Sequence, residues 1–332
     1  MNRLYPLTFH PIFKDKIWGG QRMRTVLGRD FSPLPNCGEA WLISGVEGEN
    51  TVVSNGFLAD NELNELVGIY MDDLVGEHVF EKFGEQFPLL FKLIDTSDYL
   101  SIQVHPGDEL AAERHQSLGK TEMWYVIDAE KDAELISGFK KTVTRQQFVH
   151  HLQNRTLGEI LNQEKVMRGD VFYIPAGRVH ALGPGILLTE IQQTSDITYR
   201  IYDWDRLDPK GMPRELHTLQ AMDAIDFEVY DQYRTHYVKQ LNQPVPLVSS
   251  PYFNTNLLEV TKPVFMDYGD RDSFTVYLCV GGSAELVCRD GRIRLSGGDA
   301  ILIPAEIPDG RILPAPSATL LETYVEPDIE SL

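Results

Sequence analysis

Polar and aliphatic residues alternate most clearly between Leu100 and Glu122, LSIQVHPGDELAAERHQSLGKTE. In a strand, alternate side chains share a face, so Ser101, Gln103 and His105 point one way and Ile102 and Val104 the other. Glu122 opens a second strand-like run, Met123-Trp124-Tyr125-Val126-Ile127. The run Phe87 to Asp95 is apolar on both sides of Lys92 and predicts a buried strand carrying one lysine, which either has a partner or a task or snorkels to the strand end. Residues 188 to 206 are strand-rich with polar residues at alternate positions. Short strands and turns are expected over residues 1 to 58, where Trp18 and Trp41 could line a site or fill a core, the pattern favouring core. Spacings of three and four predict helix over 61–84. Further helices are expected over 108–117 with Asp108 as cap, over 142–165 with Thr142 or Thr144 as cap, and over 214–225. His150 and His151 read as solvent-facing, residues 229–250 as a connector, and the closing EPDIESL as a frayed tail.

Composition narrows the class. A chain of 332 residues with 42% hydrophobic and 24% charged residues has room for two globular domains. No run approaches the roughly 18 apolar residues of a membrane span, and the first twenty residues lack a signal peptide's apolar core, so a cytoplasmic protein is expected. Cys37, Cys279 and Cys288 form no C-x-x-C pair and read as buried small hydrophobes. A net charge of −19 argues against nucleic acid, and a phosphorylated ligand would need a local cluster of Lys and Arg to override it.

Candidate chemistry gathers on the polar strand face. Gln103, His105 and Glu122 on adjacent strands form a possible set of nitrogen and oxygen metal ligands. The stretch Gly169-Asp170-Val171-Phe172-Tyr173-Ile174-Pro175-Ala176-Gly177-Arg178-Val179-His180 adds another histidine, in the form G-x5-P-x-G-x2-H. That form resembles the second signature motif of the cupin barrels. Gly298-Asp299-Ala300-Ile301-Leu302-Ile303-Pro304-Ala305 repeats its first eight positions as G-D-x-x-x-I-P-A, then continues without a histidine where His180 would fall. Two copies of one barrel are expected, the second lacking this ligand. The fold class expected is therefore mainly β: two cupin barrels (double-stranded β-helices, jelly-roll-like) with a few helices in the N-terminal half. A catalytic domain is expected over 1–230 and a degenerate one without metal over 231–332.

Six blocks, in order, carry a closer resemblance: IWGG (17–20), PLLFKLID (88–95), LSIQVHP (100–106), GKTEMWYV (119–126), GDVFYIPAGRVHAL (169–182) and EIQQTSDITYRIYDWDR (190–206). Together they resemble the type I mannose-6-phosphate isomerases in their short bacterial form. The resemblance implies one zinc ion per chain on His105, Glu122 and His180, with Gln103 a further or weaker ligand, and Arg200 as the active-site arginine. It implies a metal-assisted exchange of mannose 6-phosphate and fructose 6-phosphate through an enediol-type intermediate. Longer members carry a lysine downstream of that arginine; here Arg206 stands there, in a different loop. Ser101, Lys92, Lys120 and Arg206 are the expected contacts for the phosphate of the hexose. The base is open between Glu190, Asp196 and a metal-bound water, and the oligomeric state is open too. An iron-dependent cupin oxygenase, which would carry H-x-H where this chain has Gln103-Val104-His105, and a non-catalytic sugar-binding cupin are the alternatives.

Overall fold

The apolar run around Lys92 becomes the Leu89–Thr96 strand, buried at every position. The computed structural model describes residues 3–207, 211–289 and 291–326. In it this strand lies near the middle of a seven-stranded sheet ordered Arg234–Thr235, Val171–Ile174, Glu122–Ala129, Ile186–Gln193, Leu89–Thr96, Glu39–Ile43, Ile12–Lys14. A five-stranded sheet, ordered Leu161–Lys165, Glu134–Phe139, His180–Leu182, Ile102–Val104, Tyr199–Tyr202, faces it. Trp124, Val126, Phe172 and Leu188 of the first sheet meet Leu135 and Leu182 of the second in one apolar cluster.

The central strands of the seven-stranded sheet are buried on both faces, so the polar residues they carry, Lys92, Asp95, Glu122 and Glu190, are buried with them. One face looks into the sandwich. The other, with Phe91, Leu93, Met123, Tyr125 and Ile191, shares a core with Leu257, Val276, Leu278 and Leu321 from the C-terminal third of the chain. That third forms another sheet, in which Thr275–Cys288 and Asp309–Tyr324 run side by side as long antiparallel strands. The chain is thus mainly β with a few helices, as the patterning anticipates.

Differences from the sequence reading have local causes. The expected helix over 61–84 is three, Leu63–Tyr70, Asp72–Val75 and Glu77–Phe83, broken where Met71 (φ 46°) and Gly76 (φ 96°) leave the helical region. Thr144 caps Arg145–Gln153 in a reciprocal box with Gln147, and the helix ends there. The chain then turns at Arg155 (φ 59°), and Leu161–Lys165 is an edge strand instead of helix. Gly107, and not Asp108, precedes the helix Asp108–His115; the Asp108 carboxylate accepts from the Gly119 amide and the Gln193 side chain. The fourth expected helix shrinks to Thr218–Ala224, leaving residues 214 to 217 outside it. The runs flanking Gly281-Gly282 are one bent strand with register shifts on both sides of the pair. The connector contains two strands, Arg234–Thr235 and Val245–Ser249. His150 is exposed, whereas His151 is half-buried against the Thr156 hydroxyl. The expected frayed tail lies, apart from Glu326, outside the described residues.

Alternation along Leu89–Thr96 turns Lys92 and Ile94 into the sandwich and Asp95 away from it. Asp95 is fully buried, accepts from the Met23 amide through one oxygen, and has no partner for the other. Burial lifts its carboxyl to about 6. Between the unfolded value of about 3.9 and this one, the folded state holds a proton that the unfolded chain has released. Stability therefore falls as pH rises through that window, by about 3 kcal/mol. Asp95→Asn is expected to flatten this fall, measured as urea-unfolding free energy at pH 4 and 7; equal slopes in variant and parent would refute it.

Candidate active site

Between the facing sheets lies a cavity of about 340 Å³, a size suited to a small ligand. Its polar lining comes from alternation on both sheets. Arg200 stands opposite Gln103, and Gln103 opposite His180, across three neighbouring strands. Directly opposed residues share a face, so these three side chains form a row. On the other sheet Trp124 pairs with Glu190, Glu190 with Lys92, and Lys92 with Trp41, a second row. Ile102 and Val104 turn outward into a core of their own, as the strand pattern requires.

His105, Glu122 and His180 converge, all fully buried, with one ligand atom from each lying within 4.8 Å of the others. Both imidazoles are oriented from behind. His105 Nδ1 donates to the Ile197 carbonyl and His180 Nδ1 to the Arg178 carbonyl, each at 2.8 Å. That tautomer leaves both Nε2 lone pairs facing Glu122, each 3.5 Å from one of its oxygens. Burial holds both histidines well below their ordinary value, His180 at about 4, so they are neutral donors. Burial and the nearby Glu190 push the Glu122 carboxyl up, and its Oε1 is buried without a hydrogen-bond partner. Two neutral imidazoles around a carboxylate with one unpartnered oxygen are what a divalent cation would satisfy. These residues fit a metal ion. Gln103 is the fourth candidate, its amide nitrogen 3.2 Å from His180 Nε2.

Lys120 reaches into this group, its ammonium 2.9 Å from His105 Nε2 and 2.5 Å from Glu122 Oε2. Lys92 donates to Glu190 Oε1 at 3.0 Å and to Gln192 Oε1 at 2.6 Å. Burial opposes its charge, but Glu190 and Glu39 outweigh burial and keep it protonated. Glu190 also accepts from Trp124 Nε1; Lys120 and Lys92 override the effect of burial and hold it well below the usual carboxylate range. Ser101 lines the cavity, buried. Arg200 lines it too, donating to the Glu215 carbonyl, with a buried Nε that has no partner.

Arg206 lies to one side. It is turned onto Asp203 at 2.6 Å, with exposed Asp98 at 3.4 Å, and does not line the cavity. Besides Arg200, the lining arginine from this region is Arg214, which the helix expected over 214–225 had concealed. Sequence reading also passed over Lys14, Lys16 and Glu39 on the far wall, and took Trp18 and Trp41 for core. Both tryptophans are buried, yet each shows a face to the cavity, and Lys14 sits 3.6 Å over the Trp41 ring. The alternation of Lys14 and Lys16 beside Trp18 was the available signal.

The repeat can be followed residue by residue. Ile174 pairs with Glu122 and Ile303 with Thr275, so Thr275 holds the place of Glu122. The next matching rows put Tyr277, Glu322 and Asn256 where Trp124, Glu190 and Lys92 stand. Tyr277 and Asn256 both donate to Glu322 at 2.9 Å, as Trp124 and Lys92 donate to Glu190. Arg271 bonds both Thr275 and Glu322, supplying a fixed cation. Among the described residues, His105, Glu122 and His180 make the one group of three possible ligands.

Comparison with known proteins agrees with this geometry. Residues 7–153 match the family model "Phosphomannose isomerase type I, catalytic domain". The chain is similar to mannose-6-phosphate isomerase ManA of Bacillus subtilis, 34% identical over 306 residues that cover 90% of this chain and 93% of that protein. It is as similar to the mannose-6-phosphate isomerase of Streptococcus mutans, 34% identical over 307 residues, 91% of this chain and 93% of that one. Its fold matches the crystal structure of the Bacillus subtilis mannose 6-phosphate isomerase with a TM-score of 0.86 at 34% identity, covering 96% of this chain and 99% of that one.

Proposed function

This chain belongs to the type I phosphomannose isomerases, enzymes that interconvert mannose 6-phosphate and fructose 6-phosphate, and we propose that it does so in the cavity between its facing sheets. The observation that carries the placement is the convergence of His105, Glu122 and His180, of which His180 lines that cavity. These three would hold the metal, with Gln103 as a fourth ligand. Zinc, one ion per chain, suits two imidazoles, a carboxylate and an amide oxygen. A divalent ion there supplies Lewis acidity to the sugar's carbonyl oxygen, where negative charge develops during aldose–ketose exchange.

The chain's own groups do the rest. The substrate proton moves between C1 and C2. Glu190, buried on the floor, is better placed to carry it than Asp196, which is exposed at the rim. Lys92 holds Glu190 in place and ionised. Lys120 adds a second positive charge beside the reacting oxygens. Arg200, one strand from Gln103, stabilises charge as it develops. Ser101 offers a hydroxyl to the substrate from the same strand face.

The two sheet assemblies are read as two cupin-type barrels, the second without metal. The repeated Trp/Tyr–Glu–Lys/Asn rows support that reading. The division falls after Arg234–Thr235, which still pairs with Val171–Phe172, a few residues beyond 230. A cytoplasmic place is proposed with it, consistent with three cysteines that form no disulfide.

The test is an NMR assay of the purified chain with mannose 6-phosphate. Fructose 6-phosphate should form, stop forming after chelation, and form again on adding zinc. No conversion by metal-loaded protein would overturn the proposal.

A further inference from the structure

We propose that Arg214 is the residue that selects a phosphorylated sugar, with Asp203 as the positioning residue that aims its guanidinium. This rests on reading the cavity as the isomerase site.

A charge count leads there. The chain carries −19 overall, so a sugar phosphate, itself near −2 at neutral pH, must find a local surplus of positive charge. The cavity's lysines offer none. Lys14 pairs with Glu49 at 2.9 Å, Lys16 with Glu39 at 3.1 Å, Lys92 with Glu190 and Lys120 with Glu122. The arginine end differs. Arg206 and Arg214 both bond the single carboxylate of Asp203, which is nearly buried, and Arg200 has no carboxylate within bonding reach among the described residues. The other acids close by are exposed: Asp98, shared with Arg206; Asp196, at the cavity rim; and Glu215, which meets Arg200 through its backbone carbonyl. Three guanidiniums around one buried carboxylate leave a surplus that suits a dianion.

Of the three, Arg214 is the one placed for the phosphate. Arg206 does not line the cavity, and Arg200 stands beside Gln103 in the ligand row, at the reacting end. Arg214 lines the cavity while Nε and Nη2 both donate to Asp203. A guanidinium has five N–H donors in a rigid fork; two held by a carboxylate fix the plane in which the others are presented. Its backbone is held as well. The His217 amide donates to the Arg200 carbonyl at 2.7 Å and the Arg200 amide to His217 Nδ1 at 3.2 Å, stitching residues 214–217 to the strand that carries Arg200. Burial first, and then repulsion from Arg214, push the Arg200 guanidinium below its ordinary value, a sign that this end lacks a counter-ion.

Arg214→Met keeps the stem and removes the charge, and Asp203 keeps Arg206, so no buried carboxylate is orphaned. KM for mannose 6-phosphate should rise at least ~10-fold and the inhibition constant for inorganic phosphate should rise with it, while kcat stays within about 3-fold. Metal content should not change. Arg214→Lys should recover part of the phosphate affinity, and Asp203→Asn should weaken it without emptying the metal site. A loss confined to kcat, or unchanged KM and phosphate inhibition, would overturn the assignment. Calorimetric titration of metal-loaded protein with inorganic phosphate gives an independent readout. If Arg214→Met abolishes phosphate binding while the parent fails to isomerise mannose 6-phosphate, the isomerase reading falls and the phosphate site stands.

Discussion

Replacing His180 by alanine is expected to strip the purified chain of its metal and lower isomerase activity by at least ~10³-fold. His180 supplies one of three converging donors, and its ring is aimed by a bond from Nδ1 to the Arg178 carbonyl. Alanine removes the donor and also leaves Glu122 Oε1, already without a hydrogen-bond partner, facing a void. His105 and Glu122 alone are a poor chelate for a divalent ion. The fold should survive, because His180 sits at the start of a short strand whose partners on both sides are unchanged. Elemental analysis checks the metal and circular dichroism the fold. A folded variant with full metal occupancy would remove His180 from the ligand set.

Lys92→Met is expected to lower kcat about 100-fold or more, with KM little changed, and to cost about 3 kcal/mol of stability. The sequence places Lys92 among the phosphate contacts, where its loss would raise KM more than it lowers kcat. In the folded chain its charge is already engaged by Glu190 at 3.0 Å, with both side chains nearly fully buried. Removing one partner of a buried pair strands the other charge, so Glu190, now held down mainly by Lys120, should take up a proton at higher pH. The parent's depressed Glu190 contributes stability above the unfolded value of about 4.3 that is lost as pH falls below it, and the variant should lose that contribution. Adding Glu190→Gln should restore stability without restoring turnover, because the buried charge is gone but the proton carrier has gone with it. A KM-only effect in Lys92→Met would return this lysine to the phosphate.

The family and the His105–Glu122–His180 cluster were legible because both are written locally. The G-D-x-x-x-I-P-A turn, the Ser101–His105 alternation and the spacing to Glu122 and His180 each depend on a few consecutive residues and on the two-residue period of a strand. The period also put Ile102 and Val104 on the face opposite Ser101, Gln103 and His105. Helix ends read less well. The breaks at Met71 and Arg155 are left-handed residues with no glycine to mark them, and the pattern over 142–165 serves an edge strand as easily as a helix.

What the sequence by itself determined is which residue types share a strand face, and hence a mainly β fold, a cluster of two histidines and a glutamate, and a repeated turn without the histidine. What only the tertiary structure decided is how the charges pair. Lys92 lies 98 residues from Glu190, Lys14 35 from Glu49, and Arg214 11 from Asp203. Lys92 is neutralised by the carboxylate opposite it in the sheet register and Lys14 by one on a separate two-stranded element, and both placements belong to the assembled sheets. That pairing leaves the lysines balanced and the arginine end in surplus.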